Sequence, residues 1–451
     1  MTDSAIARPA AAGGPMFVTD AQRRYAMWLL LLIYIFNFID RQVVNILAEP
    51  IKHDLQITDT QIGLMTGLAF AIFYTVLGIP IARIADRSHR PRIIAVALAV
   101  WSGFTALSGV AQNFTQLVLC RIGVGVGEAG CTPPAHSLIS DMYPKEKRAS
   151  ALAFYSLGVP IGAVVGTIAG GTLADAFGWR WAFVVCGLPG LVLAALAFFT
   201  LAEPRARQVA TTLKTAGAAV NSATVGEVLK LLWSKKTFWF IAFAAAIKAF
   251  IGYGHAPFTA SFFLRTHGAE IKVMADALGM GPLGFLSVFL GLIAGIGGIL
   301  GTILGGRIAD KYGRIDYRHW AGVPAIASVI VIPIFMIAMF APSVWIAIPL
   351  LGLNAILGTL WYGPVYATAQ SIAPAHMRAV TSAILLFIIN LIGLGLGPVV
   401  VGGLSDFFNE GLGYGVAEGL RWALIVSALA GVIAFVCFWL ARRTIREEME
   451  S

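Results

Sequence analysis

Charged side chains are scarce in the long apolar stretches of this chain, and the few that occur there are spaced so that they can meet. Asp40 and Arg41 are adjacent within the apolar stretch 25–47. Arg121 and Glu128 lie seven residues apart in 114–138, and Lys248 and His255 lie seven apart in 237–264. Seven residues is about two turns of an α-helix, so each of the latter pairs shares one helical face. A charge deep in an apolar segment costs about 3 kcal/mol or more, so such groups mark substrate sites, ion pathways or proton relays by default. Burial and a neighbouring guanidinium act on a carboxylate in opposite directions, and together they can bring its proton exchange near physiological pH. Protonation of Asp40 or Glu128 would cancel that charge and free the partner arginine for an anionic ligand, so that proton and ligand bias one two-state element. The plainer reading is a buried pair that only holds two segments together.

The elements that must hold these residues follow from composition. The chain has 451 residues, of which 58% are hydrophobic, 12% charged and 49 glycine. A helix crosses the ~30 Å hydrocarbon core with about 20 apolar residues. Backbone groups in lipid must be bonded internally, which leaves helices or a closed barrel. Continuous apolar runs such as 93–100 and 334–340 lack the alternation of barrel strands. The pattern predicts spans at 25–47, 60–84, 92–111, 114–138, 149–173, 181–202, 237–264, 285–308, 320–340, 343–371, 379–404 and 420–441. It divides the chain into an N-terminal tail at 1–20, a six-helix bundle at 21–202, a linker at 203–236, a second bundle at 237–441 and a C-terminal tail at 442–451. Within the linker, Val225–Trp233 has the pattern of a short amphipathic surface helix.

The formal charge of +9 is placed by topology and not by nucleic acid. Basic residues cluster in alternate loops, as in Arg83, Arg87, Arg90 and Arg92 or Arg307, Lys311, Arg314 and Arg318, which puts both termini in the cytoplasm. Cys120, Cys131, Cys186 and Cys437 lie in apolar segments without metal-ligand spacing and read as packing residues. Depth favours one pairing of the charges. At ~1.5 Å per residue from each span's centre, Asp40 sits about 6 Å and Arg121 about 8 Å outward, with Glu128 near the midplane. Asp40–Arg121 is therefore the preferred pair, and Arg41–Glu128 the weaker one.

The two halves repeat. Arg83-Ile84-Ala85-Asp86 reappears as Arg307-Ile308-Ala309-Asp310, and Pro144 with Arg148 matches Pro374 with Arg378. Gly170-Gly171 with Asp175 echoes Gly402-Gly403 with Asp406, and Arg180-Trp181-Ala182 matches Arg421-Trp422-Ala423. The segment Gly306-Arg307-Ile308-Ala309-Asp310-Lys311-Tyr312-Gly313-Arg314 resembles the signature loop of the major facilitator superfamily. Its first copy departs, with Ala82 and His89 where glycine is usual and Pro91 where a base is usual. Arg121-Ile122-Gly123-Val124-Gly125-Val126-Gly127-Glu128-Ala129, with Asn37-Phe38-Ile39-Asp40-Arg41, resembles the spinster-like branch, although Asp-Arg in span 1 also occurs in organic-anion symporters.

The resemblance implies an all-α membrane protein of twelve helices in two pseudo-symmetric six-helix bundles, rocking between two states. It implies that spans 1, 4, 7 and 10 line a central cavity, where Asp40, Arg41, Arg121, Glu128, Lys248 and His255 converge. Span 10 would add Asn354, Trp361 and Tyr362, or else turn its aromatics to lipid. Asp40 and Glu128 are the expected proton-coupling residues. Asp86, Arg87, Arg148, Asp310 and Arg378 are the expected cytoplasmic gate, with carboxylates meeting helix N-termini and bases. The branch implies amphipathic substrates such as sphingolipids or lysophospholipids, with small organic anions or drugs as the alternative and a non-transporting receptor as a rival of another class. Protons are the only coupling ion expected, with no cofactor or metal. Expected partners are membrane lipids and the substrate, without nucleic acid, for a monomer in a bacterial inner membrane. No nucleophile elbow, phosphate loop or metal cluster points to an enzyme. Small-residue stripes at Gly158, Gly162, Gly166 and Gly170, and at Gly291, Gly295, Gly298 and Gly305, read as close helix contacts. Gly125 and Gly127 beside Glu128 read as room for the cavity.

Overall fold

Each span forms because its apolar run leaves the backbone no hydrogen-bonding partner but itself. A computed structural model describes residues 19–204, 224–313, 315–374 and 376–450. Eleven helices among them are long and apolar enough to cross a membrane. Spans 1, 2 and 3 are Asp20–Ile46, Asp59–Ala85 and Arg90–Ser108; spans 5 and 6 are Ser150–Phe177 and Trp179–Thr200. Spans 7 to 12 are Lys236–Ala277, Pro282–Gly313, Arg318–Met339, Val344–Ile372, Val380–Gly411 and Val416–Met449. Span 4, which carries Arg121 and Glu128 and is less apolar, is divided into Phe114–Glu128 and Thr132–Met142. With span 4 the described residues make twelve crossings, and no strand occurs among them.

Several ends match sequence signals. Span 1 and span 2 each open on a capping box, Thr19 with Gln22 and Thr58 with Gln61, which satisfies otherwise orphaned N–H groups. The linker helix Val225–Ser234 opens the same way on Thr224 and Glu227, and buries Val228 and Leu232. Two boundaries differ from expectation. The final helix runs Ala430–Glu450, so 442–450 is not a tail but its last turns. Span 7 continues past residue 264 to Ala277, through non-helical angles at His267, which places Arg265 within it.

The breaks in the bundle are paired. Span 4 breaks between Glu128 and Thr132, and span 10 between Gly358 and Tyr362. In each, proline follows in the first turn of the resumed helix, Pro133 and Pro134 in one and Pro364 in the other. Proline lacks the N–H that a continuing helix would need, and it is tolerated where a helix begins. Hydropathy does not register such a break.

The two halves meet toward the end of the bundle away from the termini, here termed the far end, along two seams. In one, span 2 lies against span 11: a Cβ at Gly63 would fall 2.1 Å from the Pro398 carbonyl oxygen, and one at Gly402 would fall 2.1 Å from that of Asp59. In the other, span 5 lies against span 8, with Gly171 against Ser287 and Gly295 against Val164. The stripe Gly158, Gly162, Gly166 and Gly170 packs on span 1, as expected of an interface. Gly305 faces span 10, Gly298 has open space, and Gly125 and Gly127 abut Phe70 and Trp101. These last two therefore bring helices together and do not widen the cavity.

Carboxylates close both seams. Asp406 accepts from the backbone N–H groups of Asp59 at 3.1 Å and Thr60 at 2.7 Å, and from the Thr60 hydroxyl at 2.6 Å. Asp175, its counterpart in the repeat, accepts from the N–H of Gly284 at 2.5 Å. Each caps the positive N-terminus of a helix in the opposite half. The first seam carries an added network. Arg265 donates to Glu49 through Nε at 2.9 Å and to Asp59 through a terminal nitrogen at 2.8 Å. Lys52 and Ser405 each donate to Asp59 at 2.7 Å.

Two predictions follow from this closure. Arg265→Gln leaves Glu49 and Asp59 facing each other with one cation fewer, and losing a partner in a buried pair costs about 3 kcal/mol or more. The closed-to-open ratio at the far end should fall about 100-fold, read as a longer distance between spin labels at Gln56 and Lys272; an unchanged distance distribution refutes this role. Gly402→Ala should shift the same distance in the same direction, because its methyl group has no room beside Asp59. A variant as closed as wild type would show that the seam tolerates separation.

Candidate functional site

Between the halves, beside those seams, lies a cavity of about 460 Å³. Spans 1, 4, 7 and 10 contribute to its wall as expected, through Arg41, Arg121, Lys248 and Trp361, and spans 2, 5, 8, 9 and 11 complete it. Arg41, Arg121, Lys248, His255, Asn354, Trp361 and Tyr362 all line it. Asp40 and Glu128 do not; they stand behind the wall, 1% and 0% exposed. The two groups of charge are thus layered, with cations facing the cavity and carboxylates behind them.

Arg41 and Glu128 form the ion pair that the depth argument ranked second. The Arg41 Nε donates to Glu128 Oε2 at 2.8 Å, and a terminal nitrogen lies 2.6 Å from the same oxygen. The preferred Asp40–Arg121 pair does not form: Asp40 Oδ2 and the Arg121 Nε and Nη1 have no hydrogen-bond partner among the described residues. The correction has a physical cause. Comparing backbone depths ignores the length of an arginine side chain, which carries its charge to a carboxylate on another level. Aromatic rings then fix both guanidiniums. The Arg41 Cζ lies 4.5 Å from the Tyr74 ring centre and 4.9 Å from that of Phe70, and the Arg121 Cζ lies 5.3 Å from Phe70. Phe70 therefore stands between two cations and offers each the negative face of its ring.

Phe70, Tyr74 and Asn37 are residues that the charge pattern passed over. Phe70 and Tyr74 sit four apart, and their rings stack at 5.3 Å, so a search for aromatic pairs on one helical face would have found them. Asn37, 1% exposed, has an unpaired Nδ2 in the same buried layer.

The opposite wall is different in kind. His255 pairs with the Ser427 hydroxyl at 2.9 Å and stacks on Phe335 at 4.7 Å. Asn354 donates to the Val331 carbonyl at 3.2 Å, which fixes its amide and leaves its oxygen for other use. Trp361 and Tyr362 stack at 4.0 Å at the break in span 10, facing the cavity and not lipid.

Of the expected gate residues, Arg148, Asp310 and Arg378 form no ion pair with one another among the described residues. Arg148 donates to the Tyr143 carbonyl at 3.0 Å, and Arg378 donates to the Ala373 carbonyl at 3.3 Å. Each arginine thus holds the final carbonyl of the preceding span, the same contact in both halves. Asp310 is exposed, and the side chains of Asp86 and Arg87 lie outside the described residues. The cysteines are all free thiols.

Comparison with known proteins agrees with this geometry. The family model of the Major Facilitator Superfamily matches residues 30–398. An MFS-type efflux pump of Mycolicibacterium smegmatis is 34% identical over 94% of this chain and 94% of its own length. Protein spinster homolog 1 of Xenopus tropicalis is 26% identical over 92% of this chain and 80% of its own. A crystal structure of a bacterial homologue of the human lysosomal transporter Spinster, inward-facing and unoccupied, matches with TM-score 0.85 at 31% identity, covering 95% of this chain and 99% of that one. The chain belongs to the major facilitator superfamily, in its spinster-like branch, and is a multi-pass membrane transporter and not an enzyme.

Proposed function

We propose that this transporter is driven by protons and moves an amphipathic, lipid-like or anionic substrate of the sphingolipid or lysophospholipid class by alternating access. The observation that carries the reading is the Arg41–Glu128 pair, with the arginine on the cavity wall and the carboxylate buried behind it. While Glu128 is ionised, it satisfies Arg41. A proton on Glu128 removes that attraction, and the guanidinium turns to an anionic group in the cavity. Asp40 and Arg121, close by and unpaired with each other, offer a second carboxylate and cation for the same exchange. An apolar and aromatic wall opposite suits a hydrocarbon tail.

The positive-inside pattern puts the termini, and so the open side of the cavity, in the cytoplasm of a bacterial cell. In that setting Asp310 and Asp86 meet Arg148 and Arg378 only when the cytoplasmic side closes. A second reading, export of small organic compounds or drugs, is favoured by the likeness to an efflux pump. Competition by soluble compounds with indifference to lysolipids would select it.

The decisive variant is Glu128→Gln, which mimics the protonated acid in shape. In proteoliposomes it should lose proton-driven accumulation by about 100-fold or more while remaining folded, and its anion binding should change less between acidic and alkaline pH than that of wild type. Wild type should bind the anion more tightly in acid. Transport against a gradient at the normal rate by Glu128→Gln would refute the mechanism.

A further inference from the structure

The central layer of the bundle is electrically unbalanced. Among its described residues are two carboxylates, Asp40 and Glu128, and three cations, Arg41, Arg121 and Lys248. On the N-terminal half the charges match: Glu128 takes Arg41, and Asp40 and Arg121 lie in the same buried layer between spans 1 and 4. Lys248 stands alone on the other half. It is 7% exposed, lines the cavity, and makes no ion pair or hydrogen bond among the described residues. A buried cation without a partner is costly, and it persists where something else supplies the anion.

We propose that Lys248 is the anchor for an anionic oxygen group of the substrate, a phosphate or carboxylate, on the wall opposite the Arg41–Glu128 pair. This rests on the transport reading above and deepens it. The anion and its attached chain then divide the cavity, with charge at Lys248 and apolar portions along Phe335, Trp361 and Tyr362. The Asn354 amide, on the neighbouring cavity helix, presents the oxygen left free by its bond to Val331 and suits a hydroxyl on the ligand backbone. The arrangement also sets a division of labour. Lys248 has no competing carboxylate and holds the anion in either protonation state of Glu128, whereas Arg41 joins only after Glu128 is neutralised. A ligand bridging Lys248 and Arg41 ties the halves together across the cavity, which is the contact that closure of the open side needs.

The test is thermal stability and ligand titration of the full-length protein in detergent, comparing wild type, Lys248→Gln and Lys248→Arg. The probes are lysophosphatidic acid, glycerol 3-phosphate, glucuronate and an uncharged monoacylglycerol. Without ligand, Lys248→Gln should be at least as stable as wild type, because it removes an uncompensated charge. It should bind the anionic probe that stabilises wild type about tenfold or more weakly, with Lys248→Arg close to wild type and the monoacylglycerol unaffected by either change. Lysophosphatidic acid alone showing this dependence identifies a lipid headgroup as the source; glycerol 3-phosphate or glucuronate showing it identifies a soluble anion. Equal affinity in Lys248→Gln and wild type, no stabilisation of wild type by any anionic probe, or loss of stability in Lys248→Gln with affinity intact would each overturn the assignment. Binding in detergent needs no proton movement, so this outcome and that of Glu128→Gln fail independently.

Discussion

A guanidinium and a carboxylate at the middle of a bilayer cannot part company unless each finds a replacement partner. The cost of leaving either bare is several times the thermal energy. The arrangement around Arg41 and Glu128 is organised by that constraint. Glu128 is placed at the last residue before the break in span 4, where glycine-rich backbone lets spans 2 and 3 approach closely. Phe70 and Tyr74 present ring faces to the guanidinium, partners that tolerate rotation where a second carboxylate would lock it. The cation faces the cavity and the acid does not, so on the proposed reading a partner for the first arrives from the cavity and the second takes a proton.

The pseudo-symmetry of the halves supplies the mechanical frame for this switch. Asp406 and Asp175 cap helices across opposite seams, Arg148 and Arg378 bind equivalent carbonyls, and spans 4 and 10 break at corresponding places. Chemistry is not symmetric. The N-terminal half holds the carboxylates and two arginines, while the C-terminal half offers one lysine, a packed histidine and aromatic rings. A repeated scaffold with unlike contents fits the proposed division, in which one half senses protons and the other reads the substrate.

Much of this was legible in the residues. Charges inside apolar runs stand out because they are expensive, and Arg41, Arg121, Lys248 and His255 do meet at one cavity, with Asp40 and Glu128 just behind. Repeats in Gly-Gly and Asp marked Asp175 and Asp406 as equivalent, but their role as caps depends on which helix start lies across the seam, a tertiary fact. Arg265 escaped notice because the apolar pattern stops one residue before it, while the helix itself continues to Ala277. The pairing of Arg41 with Glu128 was ranked too low because backbone depth was taken for the position of a charge at the end of a long side chain. The divided spans were read as continuous since hydropathy measures solvent preference and is blind to an interrupted hydrogen-bond ladder.

The two seams at the far end are unequal. Span 11 is tied to span 2 by the Asp406 cap and the Ser405–Asp59 bond, and span 7 adds Arg265 to Glu49 and Asp59 at the same edge, whereas span 8 is tied to span 5 by the cap at Gly284 and close glycine contacts. Under an equal load, a closure fastened more firmly along one edge yields at the other. The first gap would then form between spans 5 and 8, as a slit in the side of the bundle before it becomes a mouth at its end. A door hung on one jamb admits traffic obliquely, and for cargo that resides in the leaflet the side entrance is the shorter road.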